Sequence, residues 1–436
     1  MQAVLGKVVG TFRGVGAPLK ASGSILLGNG SGLASAAGSA TSSRVWHGFA
    51  IIGTNRFYAT TRTASDNKEP EKSVFISQST DIHTNLALED WIYRNFNFEN
   101  HRVLLLWRND PCVVIGRHQN PWTEVDVSLA EEAKLPVVRR NSGGGCVYHD
   151  QGNLNCTFFT PRDGYDRKSN LEIICRALKR QFDIDADVSP RLDVNVQGYK
   201  ISGTAAKLGK NAYHHCTLLV DADIKKLSAL LNPDVDEKIE SKATKSIKSP
   251  VKNLKSQDPT ISVDKVLSSV GYEFLRSDST GNDGGEKQIQ HQRGFQMVNP
   301  TNEWFPGLEK IRSDLKGWEW NYGKTPDFSV DQSYPIGLGR ANQDGAANID
   351  LHLRIVKGRI ENSQLRLPFG KEQLVDSNTL ADLYAFINAL KDRPFRMDIL
   401  ATFEGLLFKK STQEVSATSS SRSLRDIRVA ESLLIA

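Results

Sequence analysis

The chain has 436 residues, 39% of them hydrophobic and 24% charged, which predicts two or three structural units around a packed core. No apolar run reaches the length of a membrane span. The formal net charge of +5 is concentrated rather than spread: residues 1–65 hold no Asp or Glu but carry Lys7, Arg13, Lys20, Arg44, Arg56 and Arg62. The basic balance therefore gives no reason to expect nucleic acid as a partner.

That first segment is also rich in Ser, Ala, Gly and Thr, the composition of an organelle-import leader. Its Ile25-Leu26-Leu27 run is too short for the apolar core of a secretory signal. Arg56-Phe57-Tyr58-Ala59-Thr60-Thr61 resembles the arginine-plus-aromatic cleavage site of mitochondrial presequences. Residues 1–58 are thus expected to be a transit peptide, and the mature chain, close to neutral, to reside in the mitochondrial matrix. A polar spacer over 63–71 follows.

The alternating run 73–77 predicts a strand. Leu88, Trp91, Ile92 and Phe96 repeat at helical spacing within 86–98, with Asp81 and Thr84 as candidate caps. Strands are expected at 103–107 and 112–116, separated by the turn formers Asn109-Asp110-Pro111. A helix at 127–134 leads to a strand at 137–140, a glycine loop, and a strand at 155–160. Beyond a helix at 170–182, the runs 191–196 and 199–202 flank Gln197-Gly198, a hairpin signal. A strand at 217–220, helices at 224–231 and 263–276, and an exposed loop at 278–285 follow. Strands at 348–356 and 359–367 around Lys357-Gly358 and a helix at 377–390 predict a C-terminal α/β unit, and 413–422 a loose tail. Strands and helices without strict alternation favour an α+β or mixed α/β fold over a doubly wound one.

Two stretches carry chemistry. In Arg139-Arg140-Asn141-Ser142-Gly143-Gly144-Gly145-Cys146-Val147-Tyr148-His149-Asp150, three consecutive glycines let backbone N–H groups approach a ligand with no Cβ in the way. Arg139 and Arg140 are expected to set positive charge beside those amides, suiting a carboxylate or phosphate. The glycines alone fit a plain surface turn equally well; the Arg, Ser, Tyr and His around them favour a ligand loop. It is not a Walker A loop, because the Gly-Lys-Ser/Thr ending is missing. The second stretch is Lys200-Ile201-Ser202-Gly203-Thr204-Ala205-Ala206-Lys207, followed by Tyr213-His214-His215-Cys216-Thr217. A lone lysine is ordinarily a solvated charge. The five cysteines form no Cys-x-x-Cys pair and the nine histidines no His-Glu-x-x-His pattern, so neither a disulfide framework nor a protein-bound metal is expected.

In this order, with Arg191-Leu192-Asp193 between them, the two stretches closely resemble the lipoate–protein ligase and lipoyltransferase family. The likeness continues through Gly116-Arg117-His118-Gln119-Asn120-Pro121-Trp122, His214–Leu219 and Trp318–Pro326, spanning about 73 to 400. It implies an α+β (mixed α/β) fold: a large two-sheet catalytic domain of the biotin/lipoate ligase type over 73–327 and a small C-terminal α/β domain over 328–436. It implies an enzyme that binds lipoyl-AMP, the mixed anhydride of lipoic acid and AMP, and passes the acyl group to a lysine of a lipoyl domain. On this resemblance Lys200 is the catalytic lysine, its ammonium holding the phosphate and stabilising the oxyanion that develops on the acyl oxygen. Arg140, Ser142, Gly143, Gly144, Gly145, Cys146, Val147, Tyr148 and His149 line the acyl and adenylate sites, and Arg191 and Thr217 contact the ligand. Thr244 belongs to a mobile segment, Lys242–Ser249, that covers the adenylate. No residue is assigned as general base.

The implied acceptors are lipoyl domains of 2-oxoacid dehydrogenase acyltransferase subunits, and the donor is lipoyl-AMP or a lipoylated glycine-cleavage H protein. Where bacterial ligases have Ala, Asn and Arg, this chain has Cys146, Leu192 and Lys207, which favours a transferase over a complete ligase using lipoate, ATP and Mg2+. Two other readings stay open: a cysteine thioester at Cys146 or Cys216, and a non-catalytic binder of lipoyl domains. Trp122, Trp318 and Trp320 are expected in the core rather than in an aromatic ligand box.

Overall fold

The computed structural model describes residues 69–233, 238–290, 292–336, 347–370 and 374–408. The expected transit peptide, 1–58, and the tail at 413–422 lie outside them. Among the described residues the chain divides into two compact units, each drawn from three stretches of sequence: one from 69–110, 151–222 and 251–312, the other from 111–150, 223–250 and 313–408.

The first unit is built on a six-stranded sheet in the order Ser202–Leu208, Asn211–Leu219, Asn153–Pro161, His101–Trp107, Glu71–Ser77, Gly294–Val298. Glu71–Ser77 runs parallel to both of its neighbours, and the other pairings are antiparallel. Its central strands read as apolar runs such as Val103-Leu104-Leu105-Leu106-Trp107, all buried, as a sheet covered on both faces demands. Leu104, Leu106, Leu154, Cys156 and Phe158 pack with Leu178 of helix Arg167–Phe182 and with Val266 and Phe274 of helix Val263–Arg276. Each such buried side chain contributes roughly 1.5–3 kcal/mol. The caps are short polar side chains: Asp166 accepts from Ser169 N–H and Ser262 from Lys265 N–H.

The helix expected at 86–98 runs instead over Ile82–Asn95, because the Asp81 carboxylate accepts from Thr84 N–H and starts it early. The strand expected at 217–220 is the end of a longer one, Asn211–Leu219. The polar run Tyr213-His214-His215 disguised it; pairing on both edges makes the strand. The Gln197-Gly198 hairpin is present, both turn residues having positive φ (52° and 78°), as a tight two-residue turn requires.

The second unit holds a three-stranded sheet, Val137–Arg139, Cys112–Ile115, Val147–His149, and a four-stranded one, Ile239–Ser241, Phe328–Ile336, Ala347–Val356, Arg359–Arg366. Lys357 and Gly358 form the expected turn with φ of 50° and 73°. Helix Ser377–Ala389, capped by Asp376, and helix Asp398–Leu407 close the core, in which Phe328, Leu353, Ile355, Phe395 and Phe403 are buried. Trp122 is in that core, its ring 5.2–5.5 Å from those of Tyr322, Phe328 and Phe395. Among the described residues no helix is long and apolar enough to cross a membrane.

Candidate active site

The candidate residues divide between the two units. Lys200, Arg191 and Thr217 belong to the first; Arg140–His149 and Thr244 belong to the second.

Lys200 lies on the short strand Tyr199–Lys200, opposite Asn195, two residues past the Gln197-Gly198 turn. Its carbonyl accepts from Lys252 N–H at 3.1 Å, so a second segment fixes the backbone from the other side. Its ammonium is 3.0 Å from Asp193 Oδ1. Asp193 is itself held by a turn in which Asp193 N–H donates to Ser189 Oγ and Leu192 N–H to the Ser189 carbonyl. Leu192 takes the left-handed conformation (φ 61°) there, and Arg191 stands exposed beside it. Asp193 thus aims the Lys200 ammonium, a contact that sequence reasoning missed; the signal available was a carboxylate seven residues before the lysine across a tight hairpin.

Thr217 bonds along its own sheet: its hydroxyl accepts from Gly203 N–H at 2.9 Å. The same face carries a buried polar cluster that was also not anticipated. Glu89 Oε1 is 2.8 Å from His215 Nδ1 and accepts from the Thr157 hydroxyl at 2.8 Å, while Trp107 Nε1 donates to that hydroxyl. Burial acts to raise the Glu89 pKa, but the charge and hydrogen bond of His215, the Thr157 bond and the Lys207 charge together hold it below the ordinary carboxylate range. Lys207 is committed as well, 3.0 Å from buried Asp90 and 4.6 Å above the Tyr93 ring. His214, its neighbour in sequence, faces the opposite way, stacked on Phe158, and burial keeps it neutral with its pKa well below the usual value.

In the second unit, the two arginines do not present their charge as the sequence suggested. Arg139 is fully buried and donates to the carbonyls of Gly116, Arg117, Gln119, Trp320 and Asn321 and to the Thr325 hydroxyl. Burial, with Arg117 adding, pulls its pKa down to about 10. It is a structural rivet: a guanidinium supplies five donors in fixed directions and satisfies a bundle of inward carbonyls. Arg140 turns onto the loop itself, donating to Ser142 Oγ at 2.9 Å and to the carbonyls of Val114, Gly143 and Gly145 at 3.2, 2.5 and 2.8 Å. It shapes the loop by gathering its carbonyls.

The three glycines differ in what they require. A Cβ on Gly143 would meet nothing within 4 Å, so that side of the loop is open. Gly144 has φ of 86°, a conformation costly for any other residue. Gly145 lies under Ser246, whose Oγ would be 3.0 Å from an added Cβ. Gly116 is required too, since its Cβ would sit 2.1 Å from the Gly144 carbonyl oxygen. Beyond the loop, Val147 and His149 share one face of their strand, and Tyr148 points the other way into a core with Val113, Ile115 and Leu230. Burial raises the Cys146 thiol well above its ordinary range, and the Glu124 carboxylate adds to the rise. Such a thiol is a poor nucleophile at neutral pH. The Thr244 side chain is exposed, and its backbone N–H donates to the His118 carbonyl at 3.1 Å. Trp320 Nε1 donates to the Arg139 carbonyl at 2.6 Å, so this tryptophan also serves the framework. Among the described residues, no group of three or more His, Cys, Asp or Glu gathers as a metal site.

Known proteins bear on this geometry. Residues 81–275 match the family described as lipoyl protein ligase A/B catalytic domain. The human protein named lipoyl amidotransferase, mitochondrial, is 42% identical over 311 residues, 70% of this chain and 79% of its own length. Lipoate-protein ligase A of Psychrobacter cryohalolentis is 36% identical over 304 residues, 69% of this chain and 84% of its own. Among solved structures, P. falciparum LipL1 in complex with lipoate aligns with a TM-score of 0.50 at 24% identity, covering 84% of this chain and 100% of that one, a likeness of fold. The chain belongs to the lipoate–protein ligase and lipoyltransferase family of enzymes, with the mixed α/β catalytic fold expected of it.

Proposed function

We propose that this enzyme transfers a lipoyl group from lipoyl-AMP, or from a lipoylated glycine-cleavage H protein, to the target lysine of lipoyl domains in 2-oxoacid dehydrogenase acyltransferase subunits. With lipoyl-AMP as donor, the acceptor amine attacks the acyl carbonyl carbon, the C–N bond forms, the bond to the phosphate oxygen breaks, and AMP and a proton leave; with the lipoylated H protein, the donor amide C–N bond breaks instead and its lysine leaves as the amine, taking up that proton. The observation that carries this reading is the Lys200 ammonium, fixed by Asp193 at 3.0 Å on a backbone tied from both sides. A pre-aimed cation of that kind stabilises charge that develops on the acyl oxygen without reorganising during the reaction. Arg191 and Thr217 are assigned to ligand binding beside it, and Arg140, Ser142–His149 and Thr244 to holding the acyl and adenylate moieties.

Transfer is preferred over complete ligation because the Lys207 ammonium, where bacterial ligases have Arg, is committed to buried Asp90 and the Tyr93 ring. The lysine mechanism is preferred over a thioester at Cys146 because burial disfavours that thiolate. The assignment of 73–327 as the catalytic segment and 328–436 as accessory is part of the same proposal. So is a matrix address with 1–58 as its transit peptide, supported by the acid-free, basic composition of 1–65 and by human and mouse relatives named mitochondrial.

The deciding experiment incubates purified protein with an apo lipoyl domain and either lipoyl-AMP or lipoate with Mg-ATP. Product from lipoyl-AMP alone is expected; equal product from lipoate and Mg-ATP would replace transfer by complete ligation.

A further inference from the structure

The Gly116–Trp122 motif, whose carbonyls bind Arg139, also meets the lysine-rich segment 242–249. Gly116 N–H donates to Gln119 Oε1 at 2.8 Å, which orients the Gln119 amide. Gln119 Nε2 then donates both to Glu124 Oε2 at 2.9 Å and to Ser246 Oγ at 3.0 Å. Ser246 Oγ also accepts from the glycine loop's Cys146 N–H at 2.8 Å, and Ser246 N–H donates to Glu124 at 3.1 Å. Gly145 lacks a Cβ where the Ser246 side chain comes closest. One serine therefore joins the covering segment to the glycine loop, and a buried glutamine–glutamate pair holds that serine. Lys242, Lys245, Ile247 and Lys248 around it are all exposed, so Ser246 carries the attachment, together with the Thr244 N–H bond to His118.

We propose that Gln119, Glu124 and Ser246 are positioning residues forming a clip that fastens the 242–249 segment to the glycine loop and sets how firmly the acyl-adenylate is retained. The inference rests on the reading of 242–249 as the adenylate cover. The absence of a Cβ at Gly145 then also makes room for the cover. Glu124 works as an acceptor: buried away from water, it has no other route to satisfy its oxygens than the Gln119 amide and the Ser246 hydroxyl and amide.

Trypsin reads the clip directly, because Lys242, Lys245 and Lys248 lie within the clipped segment. Losing the hydroxyl bonds of one side chain shifts opening by about tenfold, equivalent to about 1.4 kcal/mol. Ser246→Ala and Glu124→Ala are each expected to speed cleavage in 242–249 about tenfold with an unchanged far-UV CD spectrum. Their KM for lipoyl-AMP should rise by a similar factor while kcat changes less than threefold. Glu124→Gln, which keeps an acceptor oxygen at the same reach, should restore most of the protection lost in Glu124→Ala. Cleavage of Ser246→Ala at the wild-type rate, or a loss confined to kcat, overturns the clip. Should wild-type protein fail to transfer from lipoyl-AMP, the functional proposal falls, and the proteolysis arm still decides the clip.

Discussion

Replacing Lys200 with Met removes the ammonium while keeping the length and apolar stem of the side chain. The Lys200–Asp193 pair is 3.0 Å apart with side chains 23% and 15% exposed, so water and salt screen it, and its contribution to stability is about 1 kcal/mol or less. A preorganised donor at a developing oxyanion is worth far more to the rate, about 10²–10³ in kcat, or roughly 2.7–4 kcal/mol. The two effects separate: Lys200→Met is expected to melt within a few degrees of wild type yet transfer lipoyl at least about a hundredfold more slowly. Asp193→Asn keeps the shape and loses only the charge that aims the ammonium, so a smaller decrease of about tenfold is expected. The assay is single-turnover transfer from lipoyl-AMP to an apo lipoyl domain, followed by mass spectrometry. A Lys200→Met variant within threefold of wild type would refute the role assigned to the lysine, and an Asp193→Asn variant slower than Lys200→Met would show that the carboxylate does more than aim it.

Three other outcomes are expected. Gly144→Ala should lower stability by about 1 kcal/mol or more because of its positive φ, whereas Gly143→Ala, facing open space, should leave the melting temperature unchanged and raise the KM for lipoyl-AMP; equal melting temperatures in the two would contradict the loop geometry. His101 is half-buried with its Nε2 2.9 Å from Ser73 Oγ, and burial, opposed by Glu71 and assisted by Arg293 and Arg102, lowers its pKa from 6.5 to about 4. The unfolded chain therefore binds the proton first on acidification, so stability is full above pH 6.5 and falls by about 3 kcal/mol by pH 4; urea unfolding of His101→Gln should show a shallower acid slope, and an identical slope would dismiss the assignment. Cys146→Ala and Cys216→Ala should each retain near-normal transfer, and loss of a covalent acyl-enzyme in either would revive the thioester reading.

What could be read from the sequence was what is local. The Val103–Trp107 run, the Gln197-Gly198 turn and the helix at Val263–Arg276 each carry their own periodicity or turn chemistry, and each forms as expected. The strand Gly294–Val298 was missed because its short stretch has no alternation of its own; it exists by pairing in parallel with Glu71–Ser77, more than 200 residues earlier. The site follows the same division. Lys200 and the glycine loop stand out as compact patterns, but the partners that aim them do not. Glu89 meets His215 across 126 positions of sequence, and Ser246 meets Cys146 across 100. No spacing rule connects such residues, because their proximity is a product of the sheet order and of the return of the covering segment.

The double arginine makes the limit sharper. Side by side in sequence and next to three glycines, Arg139 and Arg140 have the composition of an anion site, and their charge is what a reader naturally assigns to the ligand. Yet adjacent residues on a strand end point in opposite directions: Arg139 is driven into the framework to bind the carbonyls of Gly116–Gln119 and Trp320–Asn321, and Arg140 folds back on Gly143 and Gly145. Positive charge near the loop still favours an anion by its field. The direct contribution of both side chains, however, is to use up carbonyl oxygens. Both arginines thus organise backbone, which is why replacing Arg140 with Lys should be poorly tolerated: one ammonium cannot reach Ser142, Val114, Gly143 and Gly145 together.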